Sequence, residues 1–427
     1  MAEGRDDTRP LGLELARPGL DFAQLRSAGK DALSLALIDA RNHTLRWAAL
    51  LEAAPGGPLA LLPADLPPSV QAELDPPLWT LGRLAWFQEY WIARNVQRSR
   101  GENADASRPR LASILPQADL AFDAEAVPRE GRAIAVQAVL TDLQAARAYL
   151  VETLETTLEL LETTDDDDDA LYFQRLALFH EEMHGEAWAE LAQTLGLDNT
   201  LVRRLVTHAP RPPLLFPATR WLLGAGAPGF AFDNQQPPHP VALPEFEIDA
   251  QPVTWAQYGE FVEDGGYDET AHWSEAGWAW LAREGRRTPR HVEQMRHGVL
   301  QRRFGQLARV PQSQPAVHVS WYEADAWCRW AGRRLPSEVE WEAAAHQGAA
   351  RGFRWGDVWE WTATTLRPYP GFVAGPWRGL SKGAFGSHKV LRGASAATRP
   401  ALRSARFRRF ALPERDDGFF GLRSCAL

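Results

Sequence analysis

The chain has 427 residues, of which 45% are hydrophobic and 24% charged, and its formal net charge at pH 7 is -9. This length exceeds one ordinary domain and predicts two or three, each with its own core. The acidic balance argues against a nucleic-acid-binding protein, because affinity for phosphates depends on clustered Lys and Arg. Two cysteines, a polar N-terminus and no apolar run of about 18 residues predict a cytoplasmic protein that does not enter a membrane.

Residues 1–207 predict helices. Apolar residues recur at helical spacing over 31–53, 79–96, 133–162 and 170–195. Four such helices joined by loops predict an antiparallel bundle, in which a metal site is built from side chains on facing helices. We therefore expect an all-α four-helix bundle that carries the metal site.

The second half of the chain has a different pattern. A proline-rich stretch, residues 208–217, predicts a linker. Beyond it, Gly, Pro and Trp interrupt short hydrophobic runs, and most of the 18 tryptophans lie in this part. Short strands and two short helices, near 254–263 and 321–332, predict an α+β domain over 218–427 that completes the active site.

The stretch from Leu176 to Glu190 carries the clearest chemical pattern. His180 and His184 are four residues apart, so they lie on one face of the predicted helix, and Glu186 follows two residues later. Two neutral imidazoles one turn apart can bind a divalent transition metal, and a nearby polar group can fix the tautomer of each ring. The spacing therefore predicts a metal site.

Two alternatives stay open at this point. The same letters fit His-Glu-x-x-His, the pattern of zinc hydrolases, in which Glu181 would be the general base. Against it, Ala187 and Glu190 stand where the longer protease pattern needs Gly and a third His, and no Glu follows Glu190 before Glu245. The other alternative is a helical bundle joined to a binding module without catalytic activity.

The histidine pair also belongs to a longer series of motifs. Read as His-x3-His-x-Glu, it is followed by RLPSEVEWE (334–342), GDVWEWT (356–362), RPYPGF (367–372), VLRGAS and GFFGLRS. In this order the motifs resemble the ergothioneine-synthase family of sulfoxide synthases over nearly the whole chain. The resemblance implies a DinB-like four-helix bundle joined to a formylglycine-generating-enzyme-like domain with a C-type-lectin-like fold.

The resemblance also implies an activity. Enzymes of this family are non-haem Fe(II) proteins that use O2 to join sulfur or selenium to the imidazole of hercynine, the trimethylated betaine of histidine. The phrases DARNHTLRW (39–47) and LWTLGRLAWFQEYW (78–91) are most similar to the selenoneine-forming branch, which takes selenium from a selenosugar. A thiol donor, as in ergothioneine-type enzymes, is the alternative.

One position departs from the family pattern. The resemblance places an iron-binding His on the second helix, where this chain has Arg83. Arginine stays charged and cannot bind iron. We expect the third ligand beside His180 and His184 to be His43 on the first helix, whose other interpretation is a histidine packed in the core.

Aromatic and acidic residues complete the expected site. Trp359, Trp361 and Tyr369 are expected to supply an aromatic wall for the trimethylammonium group of hercynine. Tyr90 or Tyr369 is a candidate proton donor. Glu186 is a candidate hydrogen-bond partner for a metal-binding His, with a solvent-facing role as the alternative.

Three basic or aromatic residues are expected to contact the substrates. Besides Arg83, these are Arg409 and Phe410, since residues 409–411 stand where the resemblance places Asn-Trp-Asp before the final Gly-x-Arg. Loss of that acid and gain of a cation predict a donor other than γ-glutamylcysteine. Formylglycine-generating activity itself is not expected, because Cys328 and Cys425 lie on separate motifs.

Overall fold

The computed structural model describes residues 20–54, 74–198, 200–296 and 298–427. The polar N-terminal stretch of the sequence lies outside these residues. Among the helices of the described ranges, none is long and apolar enough to cross a membrane.

The N-terminal region is helical. Its helices are α1 (Phe22–Leu25), α2 (Lys30–Glu52), α3 (Pro77–Gln88), α4 (Ala118–Phe122), α5 (Arg129–Gln137), α6 (Leu143–Glu162) and α7 (Tyr172–Leu195). Helix α3 continues into a π-helical turn, Glu89–Ala93. Pro77 is tolerated at the start of α3 because the first turn has no backbone acceptor for its missing N–H. Helix α7 ends at Gly196, whose φ of 68° suits glycine.

The long helices α2, α3, α6 and α7 pack against one another, with α2 and α3 each contacting both α6 and α7. Helices α3 and α7 are antiparallel, because Phe87 stacks on His180 while the later Trp91 stacks on the earlier Phe173. The single helix predicted over 133–162 is wrong. It is two helices, because Asp142 caps a new start at α6 by accepting from the N–H of Ala145.

The C-terminal region contains four small sheets. Its strands are β1 (Leu214–Phe216), β2 (Thr219–Leu223), β3 (His239–Leu243), β4 (Phe246–Ile248), β5 (Val292–Gln294), β6 (Val299–Arg303), β7 (Gln306–Val310), β8 (Trp359–Thr365), β9 (Lys389–Gly393), β10 (Arg409–Ala411) and β11 (Phe420–Gly421). The largest sheet has the order β10-β9-β8-β11, in which β11 is parallel to β8 and the other pairs are antiparallel. Strand β1 lies inside the predicted linker and pairs with β4, so the linker prediction is wrong for that segment.

The described part of the C-terminal region also contains four α-helices, where the sequence predicted two. They are α8 (Trp255–Glu263), α9 (Glu275–Glu284), α10 (Trp321–Trp330) and α11 (Glu338–Gln347). Ser337 caps α11 and Glu340 returns the bond to its N–H, a capping box that the sequence already contained. The apolar core is continuous between the two regions, since Phe179 of α7 packs on Phe230 and Phe232.

Candidate active site

A cavity of about 350 Å³ lies where the helical region meets the C-terminal domain. The helical region contributes the two motif histidines and several cations, and the C-terminal domain contributes rings and arginines. The lining includes Asp75, Trp79, Arg83, Arg129, Arg132, His180, His184, Glu186, Trp359, Trp377, Phe407, Arg408, Arg409, Phe410 and Arg415. The two regions therefore build one site.

The histidine pair forms part of the wall of this cavity. The ring centroids of His180 and His184 are 4.4 Å apart, and His180 stacks on Phe87 at 3.7 Å. Nδ1 of His184 donates to the His180 carbonyl at 2.8 Å, which leaves Nε2 as the acceptor nitrogen. Burial lowers the pKa of both rings, and the nearby charge of Arg83 lowers it further. Both imidazoles are thus neutral at pH 7, the form that binds metals.

Arg83 lies on α3 one turn before Phe87, so the antiparallel packing places it at the level of His184. Its Nη1 donates to the Phe122 carbonyl at 2.6 Å, and the rings of Trp79 and Trp86 lie 5.6 and 5.5 Å from the guanidinium carbon. Burial lowers the pKa of Arg83 to about 10, so it remains charged at pH 7. No carboxylate forms an ion pair with Arg83 in the described part of the chain.

His43 does not join the histidine pair, which contradicts its prediction as the third ligand. Its Nε2 accepts a hydrogen bond from Nε1 of Trp47 at 3.0 Å, and its ring lies against Gly185. At roughly 100° per residue, Gly185 is on a different face of α7 from the motif histidines. His43 is therefore a packed histidine between α2 and α7, and burial lowers its pKa to about 4.

The residues present do not fit an iron centre with three protein ligands. Within residues 20–54, 74–198, 200–296 and 298–427, no three His, Cys, Asp or Glu side chains are placed to hold a metal ion. Two imidazoles are available, and the third position holds a fixed cation that repels a divalent metal.

Glu186 connects α7 to the C-terminal domain. Its buried carboxylate accepts hydrogen bonds from Nε1 of Trp359 at 3.0 Å, Oγ1 of Thr398 at 2.6 Å and Oγ of Ser395. Nη1 of Arg409 lies 3.4 Å from the same carboxylate. Neither expected role is correct, because Glu186 does not face solvent and His184 uses a helix carbonyl as its partner.

Glu181 faces away from the cavity, toward α2. Its Oε1 accepts from Nε of Arg41 at 2.9 Å and from Oγ1 of Thr44 at 2.7 Å. A carboxylate held in this buried ion pair cannot activate a water between the histidines. The zinc-hydrolase alternative therefore loses its general base.

Two of the predicted aromatic residues lie in the core of the C-terminal domain. Nε1 of Trp361 donates to the Val319 carbonyl at 2.7 Å, and the ring does not line the cavity. The hydroxyl of Tyr369 lies 3.3 Å from Glu338, and Arg408 covers its ring at 4.0 Å. Burial raises the pKa of Tyr369, so it keeps its proton. The predictions that these two residues contact the substrate are wrong.

The other predicted contacts are placed as follows. Trp359, Arg409 and Phe410 line the cavity. Tyr90 lines a neighbouring cavity of about 440 Å³, which shares Arg83 and Trp377 with the first. Tyr90 therefore lines a different cavity from the one that His180 and His184 line.

Sequence reasoning missed several lining residues. Trp377 packs edge-on against His180 at 5.2 Å, but it comes from a loop without a motif. The sequence could have predicted Trp79, because it precedes Arg83 by four residues and therefore lies on the same face of the helix. Arg408 and Phe407 stand beside the predicted Arg409 and reach the same cavity.

The chain is similar to known proteins over both regions. Residues 214–357 match the sulfatase-modifying factor enzyme 1-like domain family. The hercynine oxygenase of Mycolicibacterium smegmatis is 30% identical over 404 residues, which cover 82% of this chain and 90% of that protein. The hercynine oxygenase of Mycolicibacterium thermoresistibile is 29% identical over 446 residues, covering 92% and 94%. The formylglycine-generating enzyme of Streptomyces coelicolor is 32% identical over 172 residues, covering 35% and 52%.

The C-terminal half is thus a formylglycine-generating-enzyme-like α+β domain, as the motifs predicted. The whole chain belongs to the hercynine oxygenase family, which confirms the resemblance to ergothioneine-related enzymes. The assignment of the helical region to the DinB-like class stays a prediction.

Proposed function

We propose that this chain is an O2-dependent enzyme that joins selenium or sulfur to the imidazole carbon of hercynine. A selenosugar is the proposed donor, giving selenoneine chemistry, and a thiol is the alternative donor. The observation that carries the proposal is the cavity between the two regions, in which neutral histidines, aromatic rings and a cation without a carboxylate partner meet. Relatives named for hercynine oxygenation, aligned over 82% and 92% of this chain, support the substrate.

The cavity has the chemistry that a betaine needs. A quaternary ammonium group is attracted to the faces of aromatic rings, and Trp79, Trp359 and Trp377 are available in the lining. The carboxylate needs a cation whose charge is not already neutralised. Arg132 is paired with Asp75, Arg408 with Glu338, and both Arg409 and Arg415 with Glu190. Arg83 forms no ion pair with a described carboxylate, and it is the proposed carboxylate-binding residue.

The overall reaction balances without a further oxidant. With a thiol donor, or with a selenosugar that carries a selenol, the imidazole C–H and the S–H or Se–H each lose hydrogen as the carbon–chalcogen bond forms. One oxygen atom of O2 is retained as the sulfoxide or selenoxide and the other leaves as water, so O2 accepts four electrons. In this proposal, the residues of the cavity bind and orient the substrates for the reaction.

Fe(II) is the cofactor that the family resemblance implies, and His180 and His184 are its proposed ligands. Because Arg83 stands in the third position, we expect this chain to retain iron weakly compared with a site of three histidines. Product formation should therefore depend on the concentration of added Fe(II).

The proposal is tested by incubating the full-length protein aerobically with Fe(II), hercynine and either a selenosugar or a thiol. Mass analysis should detect an imidazole product that carries selenium or sulfur, and the double variant H180A/H184A should form none. If no donor yields such a product at saturating Fe(II), the proposed enzymatic activity is wrong.

A second candidate is a hercynine-binding protein without turnover. Arg83 favours it, because one arginine both removes a metal ligand and supplies a carboxylate site. Saturable binding of hercynine without product under every donor condition would identify this function.

A further inference from the structure

A second cavity, of about 610 Å³, shares no lining residue with the histidine cavity. It lies where the end of α7 meets the β6–β7 hairpin, which is docked on the helix by Gln193. The side chain of Gln193 donates to the Arg302 carbonyl at 3.0 Å and accepts from the N–H of Phe304 at 2.9 Å. The proposed reaction uses no residue of this cavity.

Arg303 is the central cation of this cavity. Its Nε donates to Oε1 of Gln301 at 2.7 Å, and its Nη2 donates to Oε1 of Gln314 at 2.9 Å. Burial alone lowers the pKa of Arg303 to about 10, so its charge persists at pH 7. No carboxylate among the described residues pairs with it. Two amide oxygens thus orient the guanidinium and leave its charge to be neutralised by a ligand.

The ring of His318 lines the same cavity. It is 2% exposed, and its Nδ1 has no hydrogen-bond partner among the described residues. A hydrogen bond to the Gly418 backbone engages the ring, and His291 packs edge-on at 4.8 Å. The φ of His318 is 64°, a conformation that non-glycine residues rarely adopt. The fold therefore holds a neutral acceptor nitrogen in a strained backbone position.

The rest of the lining is basic and apolar. Arg203, Arg204 and Arg309 also border the cavity, and Asp198 is the one acidic residue among the described lining residues. Arg203 is already paired with Asp357 at 2.9 Å. The described lining therefore contains more arginines than carboxylates, a composition that favours anions.

We propose that this second cavity binds a small oxyanion-bearing metabolite, a carboxylate or a phosphate. Its oxyanion is bound by the Arg303 guanidinium, and a neighbouring O–H or N–H of the ligand donates to Nδ1 of His318. This proposal does not depend on the function proposed for the histidine cavity.

Isothermal titration calorimetry on the full-length protein at low ionic strength tests the proposal. The probes are inorganic phosphate, malate, which has a hydroxyl donor, and succinate, which lacks one. We expect saturable binding of phosphate or malate, with malate bound more tightly than succinate, and these two arms separate the phosphate source from the carboxylate source. Absence of binding for all three probes, or equal binding of malate and succinate with no phosphate binding, would overturn the proposal.

Variants at neighbouring positions of β6 locate the site. R303Q removes the guanidinium and should weaken binding about 10- to 100-fold, the usual loss for a hydrogen bond to a charged group. R303K retains the positive charge but not the branched guanidinium, and it should weaken binding less than R303Q does. R302Q is the matched control, because Arg302 pairs with Glu293 and is exposed. Unchanged affinity in both Arg303 variants, or an equal loss in R302Q, would contradict the assignment.

Discussion

Arg83 places a positive charge in the lining of the histidine cavity. Its side chain is anchored by the Phe122 carbonyl and surrounded by aromatic rings, so its charge is fixed in place. That charge lowers the pKa of His180 and His184 and opposes a second cation beside them. The same charge favours a carboxylate, and two predictions follow from these opposite effects.

The first prediction concerns substrate binding. R83Q keeps a hydrogen-bond donor but removes the charge, so hercynine should bind about 10- to 100-fold more weakly. Equilibrium titration with hercynine measures the change. R147Q is a suitable control, since Arg147 lies on the exposed side of α6 and pairs with Glu52. Unaltered affinity in R83Q would show that another residue binds the carboxylate.

The second prediction concerns metal binding. R83H removes the repelling charge and adds an imidazole at the level of His184, so anaerobic Fe(II) or Co(II) affinity should rise by at least about tenfold. R83A removes the charge without adding a ligand and should gain less. If R83H and R83A bind Co(II) with the same affinity and spectrum, position 83 does not face the metal position.

At the level of elements, α7 carries both the histidines and the contacts that hold the C-terminal domain. Glu186 and Glu190 bind donors from the strands and loops of that domain, including Arg409 and Arg415. The spacing of four glutamates on α7 was visible in the sequence. Their partners were not, because each side-chain partner lies at least 137 residues away in the chain. Binary patterns locate helix faces, but they do not say which distant residue a buried carboxylate will meet.

We therefore expect Glu186 to contribute mainly to the stability of the fold and less to catalysis. E186A leaves the hydroxyls of Ser395 and Thr398 and the Arg409 guanidinium without their acceptor, and should lower the free energy of unfolding by roughly 3–5 kcal/mol. Chemical denaturation measures this, and E155Q on the exposed face of α6 is the control. A stability loss no larger than that of E155Q would contradict the proposed role of Glu186.

For the whole molecule, motif order predicted more than periodicity did. It gave the formylglycine-generating-enzyme-like domain, and it singled out Trp359, Arg409 and Phe410, which line the cavity between the two regions. It could not show that Trp361 and Tyr369 turn into the core, since neighbouring residues of a strand or loop share a motif but not a direction. The prediction that His43 is the third ligand is wrong for a related reason. The residue of α7 that His43 contacts is Gly185, not His184.

The stability of the folded chain should also depend on pH through its buried histidines. Burial lowers the pKa of His291 to about 4, so the unfolded chain binds a proton here at a higher pH than the folded chain does. Its contribution to stability is present above pH 6.5 and is lost as the pH falls toward 4.

H291N removes this titration and retains a residue that tolerates a φ of 65°. Relative to H291N, the wild type should lose about 1.4 kcal/mol per pH unit between pH 6.5 and pH 4, and no more below that range. Denaturation curves at several pH values test this, and parallel pH profiles for the two proteins would contradict it.

We propose that the cavity between the two regions binds hercynine. Calorimetric titration of the full-length protein with hercynine and with histidine tests it most directly, since the two ligands differ only in the three methyl groups on nitrogen. We predict that hercynine binds at least about tenfold more tightly than histidine, through the aromatic lining. We also predict that W377A loses this preference. Equal binding of the two ligands, or a preference that survives in W377A, would contradict it.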